Sequence, residues 1–219
     1  MSLIPYIDIH THQLISRREI ISVLNLNAND QDKNFPANTS YSIGIHPWDI
    51  EKLKFDSAID YLEEYLLSLN PIAIGEIGLD KMISTDMEIQ ERVFVEQIHV
   101  AKIQQIPMII HCVKAQEEIL KVKNNHDTRT AWILHGYNKN LQVAEAFLKQ
   151  GFYLSFGEAL LRNEKLQSVF KLIPLDRIFL ETDEKEISVK EVYRRAAEIK
   201  EIEIEALKEQ MLLNFMKCF

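Results

Sequence analysis

The sequence predicts an α/β protein, a (β/α)8 TIM-type barrel. Its first βα unit is shortened, and the barrel could be distorted as a result. Three observations lead to this class. Eight short apolar runs of strand length follow one another along 219 residues. Segments with helical periodicity separate most of these runs. Residues that can bind metals stand at the ends of several strands, where barrel enzymes place their functional side chains.

The first half of the chain accounts for four of the strands. The run that includes Ile7 and Ile9 ends at His12, and a polar segment follows it. A short helical turn at 17–19 leaves little room for a crossover helix before the second strand, so the first βα unit is short. Pro47 closes the third strand. We expect strands at 7–12, 20–26, 41–48 and 71–80, and helices at 56–68 and 87–105.

The second half alternates strands and helices more regularly. Two of its strands end in histidine, at His111 and His135, and the last one ends in Asp183. The segments between the strands carry apolar residues at helical spacing. We expect strands at 107–111, 130–136, 152–156 and 177–183, and helices at 115–123, 141–150, 160–172, 189–199 and 204–217.

The composition favours a single domain over residues 1–219. The chain is 47% hydrophobic and 26% charged, with six glycines, six prolines and no run typical of a linker. The sequence shows neither a secretory leader nor an apolar run of membrane-spanning length, so we expect a cytoplasmic protein with no membrane partner. Cys112 and Cys218 do not make a disulfide framework, and both should be reduced.

The net charge of −8 restricts the possible partners. It argues against a broad basic groove for duplex nucleic acid. It does not exclude a phosphate substrate, because bound divalent cations can attract an anion to an acidic protein.

The first strand carries the pattern Asp8-Ile-His10-Thr-His12. Residues two apart in a strand share a face, so all three polar side chains should point the same way. Two imidazoles on one rigid face can chelate a metal, although the pattern alone also fits ordinary polar residues at a strand end. We expect Asp8 to orient a histidine or a water and not to bind metal itself.

Other strand ends carry similar residues, and five of the seven histidines stand at such ends. Each residue alone could cap or pack a strand, but a barrel brings the carboxyl ends of its strands to one mouth. Their joint position therefore favours a metal site. The set comprises His10, His12, His46, Glu76, His111, His135 and Asp183.

Four imidazoles and two carboxylates of this set exceed the needs of one catalytic ion, which usually takes three protein ligands. We therefore expect two divalent ions. Zinc, manganese, cobalt or iron suits the histidine-rich set better than magnesium alone, which prefers oxygen ligands. Two such ions about 3.5 to 4 Å apart suit the hydrolysis of a phosphodiester.

The chain resembles the TatD family of metal-dependent deoxyribonucleases in the amidohydrolase superfamily, nearly from end to end. No single motif is specific to this family, but the order of the motifs along the chain is. The matching pieces are Asp8-Ile-His10-Thr-His12, Gly44-Ile-His46-Pro47, Gly75-Glu76-Ile-Gly-Leu-Asp80, Gln90 with Phe94, Pro107-Met-Ile-Ile-His111, His135, Glu181-Thr-Asp183 and Asn214-Phe.

The resemblance implies a TIM-type barrel with a binuclear site. It assigns His10, His12 and Asp183 to one ion, and His111 and His135 to the other, with Glu76 bridging the two. It gives catalytic roles to two carboxylates, Asp183 and Glu76. Of these, Asp183 helps to activate the water. It also implies that His46 lies near the phosphate of the substrate.

The chain departs from the family pattern after three of the strands. Lys114 stands where members commonly carry arginine, so a bidentate clamp on phosphate is absent there. The segments Gly136-Tyr137-Asn138-Lys139 and Glu184-Lys185-Glu186 also differ from the family. We expect His46, Lys114 and Tyr137 to contact substrate. Trp48 and Tyr137 could stack a base, or could only pack beside the ligands.

These observations favour a metal-dependent hydrolase of phosphodiesters, with single-stranded or frayed DNA degraded from an end as the leading hypothesis. DNA or another phosphodiester would then be the partner. An amide or lactone hydrolase on the same scaffold is the first alternative, because fold does not fix substrate. A metal-bearing scaffold that has lost activity and only binds a partner is the second.

Overall fold

The computed structural model describes residues 4–14, 17–27, 39–52, 70–126 and 128–219, together with residues 59, 62, 64 and 66. All eight predicted strands lie in these ranges and are hydrogen-bonded in chain order. The registered strand pairs are parallel. The strands are β1 (Tyr6–Thr11), β2 (Ile20–Asn27), β3 (Ser40–Gly44), β4 (Ala73–Asp80), β5 (Met108–Val113), β6 (Trp132–Leu134), β7 (Tyr153–Phe156) and β8 (Ile178–Leu180).

Seven α-helices have described bounds, and two short 3₁₀ helices accompany them at Pro47–Lys52 and Leu175–Arg177. Within the described residues, these helices are too short or too polar to cross a membrane. The α-helices are α1 (Met87–Gln104), α2 (Gln116–Asn125), α3 (Leu141–Lys149), α4 (Ala159–Arg162), α5 (Glu164–Leu172), α6 (Val189–Lys200) and α7 (Ile204–Cys218).

Three predictions need correction or lie partly outside the description. The helix predicted at 160–172 is two helices, because Asn163 adopts an extended conformation between α4 and α5 and caps the second. The third strand ends at Gly44, and Pro47 begins a 3₁₀ helix instead of closing the strand. Most of the helix predicted at 56–68 lies outside the described residues, and the four described there are helical.

The chain divides into two compact units, 1–24 with 134–219 and 25–133. The boundaries fall inside β2 and β6. The single domain inferred from composition therefore stays a prediction.

In the unit formed by 1–24 and 134–219, contacts with α6 and with the segment after β8 hold β1 in place. Ile7 and Ile9 are buried. The hydroxyl of Tyr193, on α6, donates to the Ile7 carbonyl at 3.0 Å and accepts from the Ile7 N–H at 2.9 Å. Thr11 forms a parallel bridge with Asp183, beyond the end of β8. β1 is thus held near its amino end by Tyr193 and at its carboxyl end by the bridge to Asp183.

In the unit formed by 25–133, every residue of β4 is buried between β3 and β5. Helix α1 contributes two buried glutamines that hold the segments after these strands. Gln97 bonds both the N–H and the carbonyl of Ile45, at 2.7 and 3.2 Å. Gln90 accepts from Asp80 N–H at 2.8 Å and donates to its carbonyl. Helix α1 therefore fixes the backbone next to His46 and at the end of β4.

Candidate metal centre

The first ligand group consists of His10, His12, His135 and Asp183, all in the unit formed by 1–24 and 134–219. Asp183 Oδ1 lies 3.5 Å from His10 Nε2 and 3.6 Å from His12 Nε2. Donor atoms of His10, His135 and Asp183 lie within 4.8 Å of one another. The imidazoles of His10 and His135 are 4.5 Å apart between centroids. Four of the predicted ligands therefore converge.

The backbone explains how Asp183 reaches this position. Its N–H donates to the His10 carbonyl at 2.9 Å, and its carbonyl accepts from His12 N–H at 3.2 Å. Its φ of 55° is left-handed, a conformation that aspartate and asparagine tolerate better than most residues. The register of β1 against β2 also shifts between Asp8 and Thr11, around His10. Such irregularities can re-aim a side chain.

Asp8 supports the segment that carries Asp183. It is fully buried and accepts from Thr182 N–H at 3.0 Å and from Thr182 Oγ1 at 2.8 Å. Burial raises the pKa of Asp8 to about 7, against the lowering effect of the two hydrogen bonds. We expected Asp8 to orient a histidine or a water. The structure shows it anchoring the residue next to Asp183, and its role towards a histidine or a water stays a prediction.

Glu181 was not among the predicted site residues. Its Oε1 accepts from Gly136 N–H at 2.6 Å and lies 3.7 Å from His135 Nδ1. Its Oε2 is buried, and no described donor lies within hydrogen-bond distance. A buried carboxylate of this kind suits the neighbourhood of a cation. Glu181 stands two residues before Asp183 at a strand end, and this spacing could have identified it as a site residue from the sequence.

The second ligand group consists of His46, Glu76 and His111, all in the unit formed by 25–133. Glu76 Oε1 lies 2.6 Å from His111 Nδ1 and 3.3 Å from His46 Nε2. The two facing imidazole nitrogens are 3.4 Å apart. One donor atom from each residue lies within 4.8 Å of the others. We expected His46 near the phosphate, and the structure places it beside two predicted metal ligands.

Gly78 permits the close pairing that brings Glu76 and His111 together. It pairs with His111 across β4 and β5, and a Cβ built on it would lie 2.1 Å from the His111 carbonyl oxygen. Its φ of 144° also disfavours other residues. The register of β4 against β5 shifts between Ile74 and Ile77, around Glu76. Each ligand group thus includes a residue at a strand irregularity.

Asp80 is a second residue that we did not assign to the site. Its Oδ2 accepts from Trp48 Nε1–H at 2.7 Å and lies 3.2 Å from His111 Nε2. Burial alone would raise the pKa of Asp80, but hydrogen bonds from Trp48, Met82 N–H and His111 outweigh it, and the pKa falls below its ordinary value. An ionised Asp80 can orient the His111 imidazole. Its position two residues after Gly78 on β4 was the available signal.

Two of the residues expected to contact substrate, Lys114 and Tyr137, lie in opposite environments. Lys114 is exposed just beyond β5, with a left-handed φ of 54°. Tyr137 is 2% exposed, donates its hydroxyl to the Asn140 carbonyl and packs against Phe156. The burial of its ring disfavours the substrate contact expected of Tyr137, which stays a prediction. Lys114 stays a candidate.

The donor chemistry of both groups fits a divalent metal. Neutral imidazole nitrogens and carboxylate oxygens are the ligands that zinc, manganese, cobalt and iron take in proteins. In the first group Asp183 supplies the carboxylate, and in the second Glu76 does. The number of ions, their identity and the predicted bridging by Glu76 stay predictions.

Comparison with known proteins extends these observations. A family model described as TatD related DNase matches residues 18–219. YabD from Bacillus subtilis, named an uncharacterized metal-dependent hydrolase, is 36% identical over 147 residues, 65% of this chain and 57% of YabD. YjjV from Escherichia coli, with the same description, is 30% identical over 148 residues, 65% of this chain and 56% of its own length. The aligned part thus spans somewhat more than half of these relatives.

The crystal structure of YjjV, a TatD homologue from Escherichia coli, gives the comparison of fold. It superposes with a TM-score of 0.83 at 21% identity, over 99% of this chain and 98% of that one. This likeness, together with the strand order, confirms the α/β barrel class predicted from the sequence. It shows the fold alone.

Proposed function

Since the chain belongs to the TatD family, we propose that it is a metal-dependent hydrolase of phosphodiester bonds, with DNA as its substrate and a strand end as the point of attack. The convergence of histidines and carboxylates in each unit carries this proposal. Packing gives no reason to gather three or more ionisable side chains within 4.8 Å of one another. Two such groups suit two divalent ions.

The first ligand group would hold one ion through His10, His12 and Asp183, and the second would contribute Glu76 and His111 to another. Bound divalent ions lower the pKa of a coordinated water and neutralise charge on phosphate oxygens. Asp183 has the better access to solvent of the two carboxylates, with 32% of its side chain exposed against 6% for Glu76. We therefore assign proton acceptance from the attacking water to the carboxylate of Asp183.

Two further features support a phosphate substrate. Lys114 extends from the end of β5, the strand that carries His111, and offers a point charge to a phosphate oxygen. The family description names a DNase. The net charge of −8 gives the chain no broad electrostatic attraction for DNA, so cations at the site would have to supply it. Action on DNA ends, a cytoplasmic location and independence of membranes belong to the same proposal.

A substrate panel tests the proposal. Protein stripped with a chelator is reloaded separately with zinc, manganese, cobalt, iron or magnesium. Each form is then assayed on end-labelled single-stranded DNA, a model phosphodiester, and sets of amides and lactones. We expect metal-dependent cleavage of the phosphodiesters.

Histidine variants provide a matched control for this panel. His10→Ala removes a ligand of the first group, whereas His99→Ala removes a half-exposed histidine of α1 that lies 3.7 Å from Glu96. We expect His10→Ala alone to lose activity by at least about 10- to 100-fold, the range seen when the surroundings of a metal site are disturbed. Turnover restricted to amides or lactones would contradict the choice of substrate. Wild-type activity in both variants would contradict the assignment of His10 to the metal site.

A further inference from the structure

The two tryptophans of this chain occupy opposite environments. Trp132 is 1% exposed, donates its Nε1–H to Thr128 Oγ1 and packs edge-on against Phe94. Trp48 is 59% exposed, although it follows the strand that leads to His46. Leaving much of an indole in water forgoes the burial that normally makes tryptophan favourable. Trp48 therefore contributes little to the core.

The exposed ring is nevertheless fixed in orientation. The indole Nε1–H of Trp48 donates to Asp80 Oδ2 at 2.7 Å, and the backbone N–H of Trp48 donates to His46 Nδ1 at 3.2 Å. The imidazole of His46 meets it edge to face, with centroids 5.2 Å apart and an interplanar angle of 87°. Asp80 in turn accepts from Met82 N–H at 2.7 Å. A ring held in this way loses little conformational entropy when a ligand packs on it.

Its position connects the ring to the second ligand group. The indole centroid lies 6.4 Å from that of His111, and Asp80 touches both residues. A molecule that covers the indole face would thus lie beside side chains proposed to hold a metal, where the phosphate of the substrate would bind. A flat apolar ring joined to a phosphate is the chemistry of a nucleotide. Proteins that bind single strands combine cationic sites for the backbone with aromatic rings for the bases.

Building on the proposed function, we propose that Trp48 is a stacking platform for a base next to the scissile phosphate of single-stranded nucleic acid. A base inside a duplex already stacks on both faces, so the platform selects unpaired or frayed ends. Stacking of this kind is worth about 1 to 3 kcal/mol per base. It tolerates every base, because each has a π-face.

Fluorescence titration tests the platform without requiring turnover. Manganese-loaded protein is titrated with a thymidine octanucleotide whose phosphorothioate linkages resist hydrolysis, and with a matched octamer that lacks all bases. We expect the base-bearing octamer to change the emission of the wild type and to leave that of Trp48→Phe, which retains only Trp132, unchanged. By competition, Trp48→Ala should bind it about 10- to 100-fold more weakly, while Trp48→Phe keeps a ring and stays near the wild type.

The octamer without bases separates stacking from a merely structural role. If Trp48 stacks a base, wild type, Trp48→Ala and Trp48→Phe bind this octamer alike. Equal weakening of Trp48→Ala towards both octamers would overturn the proposal, because the residue would then act only by orienting Asp80 and His111. Unchanged affinity of Trp48→Ala for the base-bearing octamer would also overturn it.

The control and the link to hydrolysis complete the test. Ile103→Ala removes an exposed apolar side chain of α1 and should leave both affinities unchanged. Base-dependent binding in a protein that cleaves no phosphodiester would support the platform while the proposed hydrolysis fails. Cleavage of DNA without base-dependent binding would support the hydrolase and reject the platform.

Discussion

Among the single residues proposed to act at the site, two have their backbone in an uncommon conformation. Asp183 and Lys114 have φ angles of 55° and 54°, and both follow strands that end near a ligand group. A left-handed residue turns the chain sharply, so its side chain leaves the direction of the preceding strand. For Asp183, backbone bonds to His10 and His12 hold that turn.

Asp183→Asn separates the chemical role of this residue from its structural role. Asparagine tolerates the left-handed conformation and keeps one ligating oxygen, so the fold should survive. The loss of the carboxylate removes the proposed proton acceptor, and kcat should fall by about 10² to 10⁴. Kinetics with metal-loaded protein and thermal unfolding of the metal-free protein measure the two effects.

The control for Asp183→Asn is Asp176→Asn, an exposed position in a 3₁₀ helix. It should turn over at the wild-type rate. Near-normal kcat in Asp183→Asn with metal bound would reject the assigned role. Failure of the metal-free variant to fold would show that the carboxylate is structural.

At the scale of elements, the boundary between α4 and α5 depends on one side chain. Asn163 Oδ1 accepts from Leu166 N–H at 3.2 Å and satisfies a donor that the first turn of α5 leaves open. The same residue ends α4, where its N–H donates to the Ala159 carbonyl. Two short helices can therefore follow each other without a loop between them.

Asn163→Ala should lower the free energy of unfolding by about 1 kcal/mol, because the cap at the start of α5 is lost. Urea denaturation of the purified variant measures this change. Asn163→Asp retains a capping oxygen and should recover most of the stability. An alanine variant as stable as the wild type would mean that the extended conformation at 163 does not depend on the cap.

A lysine at the end of α6 should also make the free energy of unfolding depend on pH. Lys200, the last residue of α6, donates to the carbonyls of Lys171 and Ile173 at the end of α5 and lies 5.0 Å from the Phe170 ring. Burial lowers the pKa of Lys200 from 10.5 to about 8. Between these values the unfolded chain binds more protons than the folded one, so the free energy of unfolding rises with pH.

Lys200→Met removes this titration. Relative to the variant, the wild type should gain about 1 kcal/mol between pH 7 and pH 10, a value reduced for the partial exposure of the group. Denaturant unfolding at the two pH values provides the measurement. Lys200→Arg, which keeps its charge throughout, should show no such gain. A pH-independent difference between wild type and Lys200→Met would contradict the lowered pKa.

At the scale of the whole molecule, metal binding should stabilise the fold, since the ligands are gathered only in the folded chain. A free metal concentration 100 times Kd adds about 2.7 kcal/mol for one site. For a chain of 219 residues this corresponds to a rise in Tm of roughly 5 to 10 °C. Elemental analysis of loaded, desalted protein should give close to two ions per chain.

Glu76→Ala should reduce both the ion content and the rise in Tm, because it removes the carboxylate of the second ligand group. Glu96→Ala, at a half-exposed position on α1, is the matched control and should change neither. A plateau of one ion or fewer in the wild type would contradict the binuclear hypothesis. An unchanged plateau in Glu76→Ala would exclude Glu76 as a ligand.

The fold class, the eight strands and the residue types of both ligand groups could be predicted from the sequence alone. These follow from local properties, because apolar runs, helical spacing and the position of a residue at a strand end are visible within a short window. His10, Glu76 and His111 could be chosen in this way. The break between α4 and α5 at Asn163 was not predicted.

The sequence did not reveal which residues these side chains contact or which of them water reaches. Asp8 and Thr182 are 174 residues apart in sequence, and no local pattern pairs them. Trp48 and Tyr137 each follow a candidate ligand closely, yet one ring is exposed and the other buried. The physical reason is that burial and hydrogen-bond partners depend on contacts between distant segments, which form only when the chain packs.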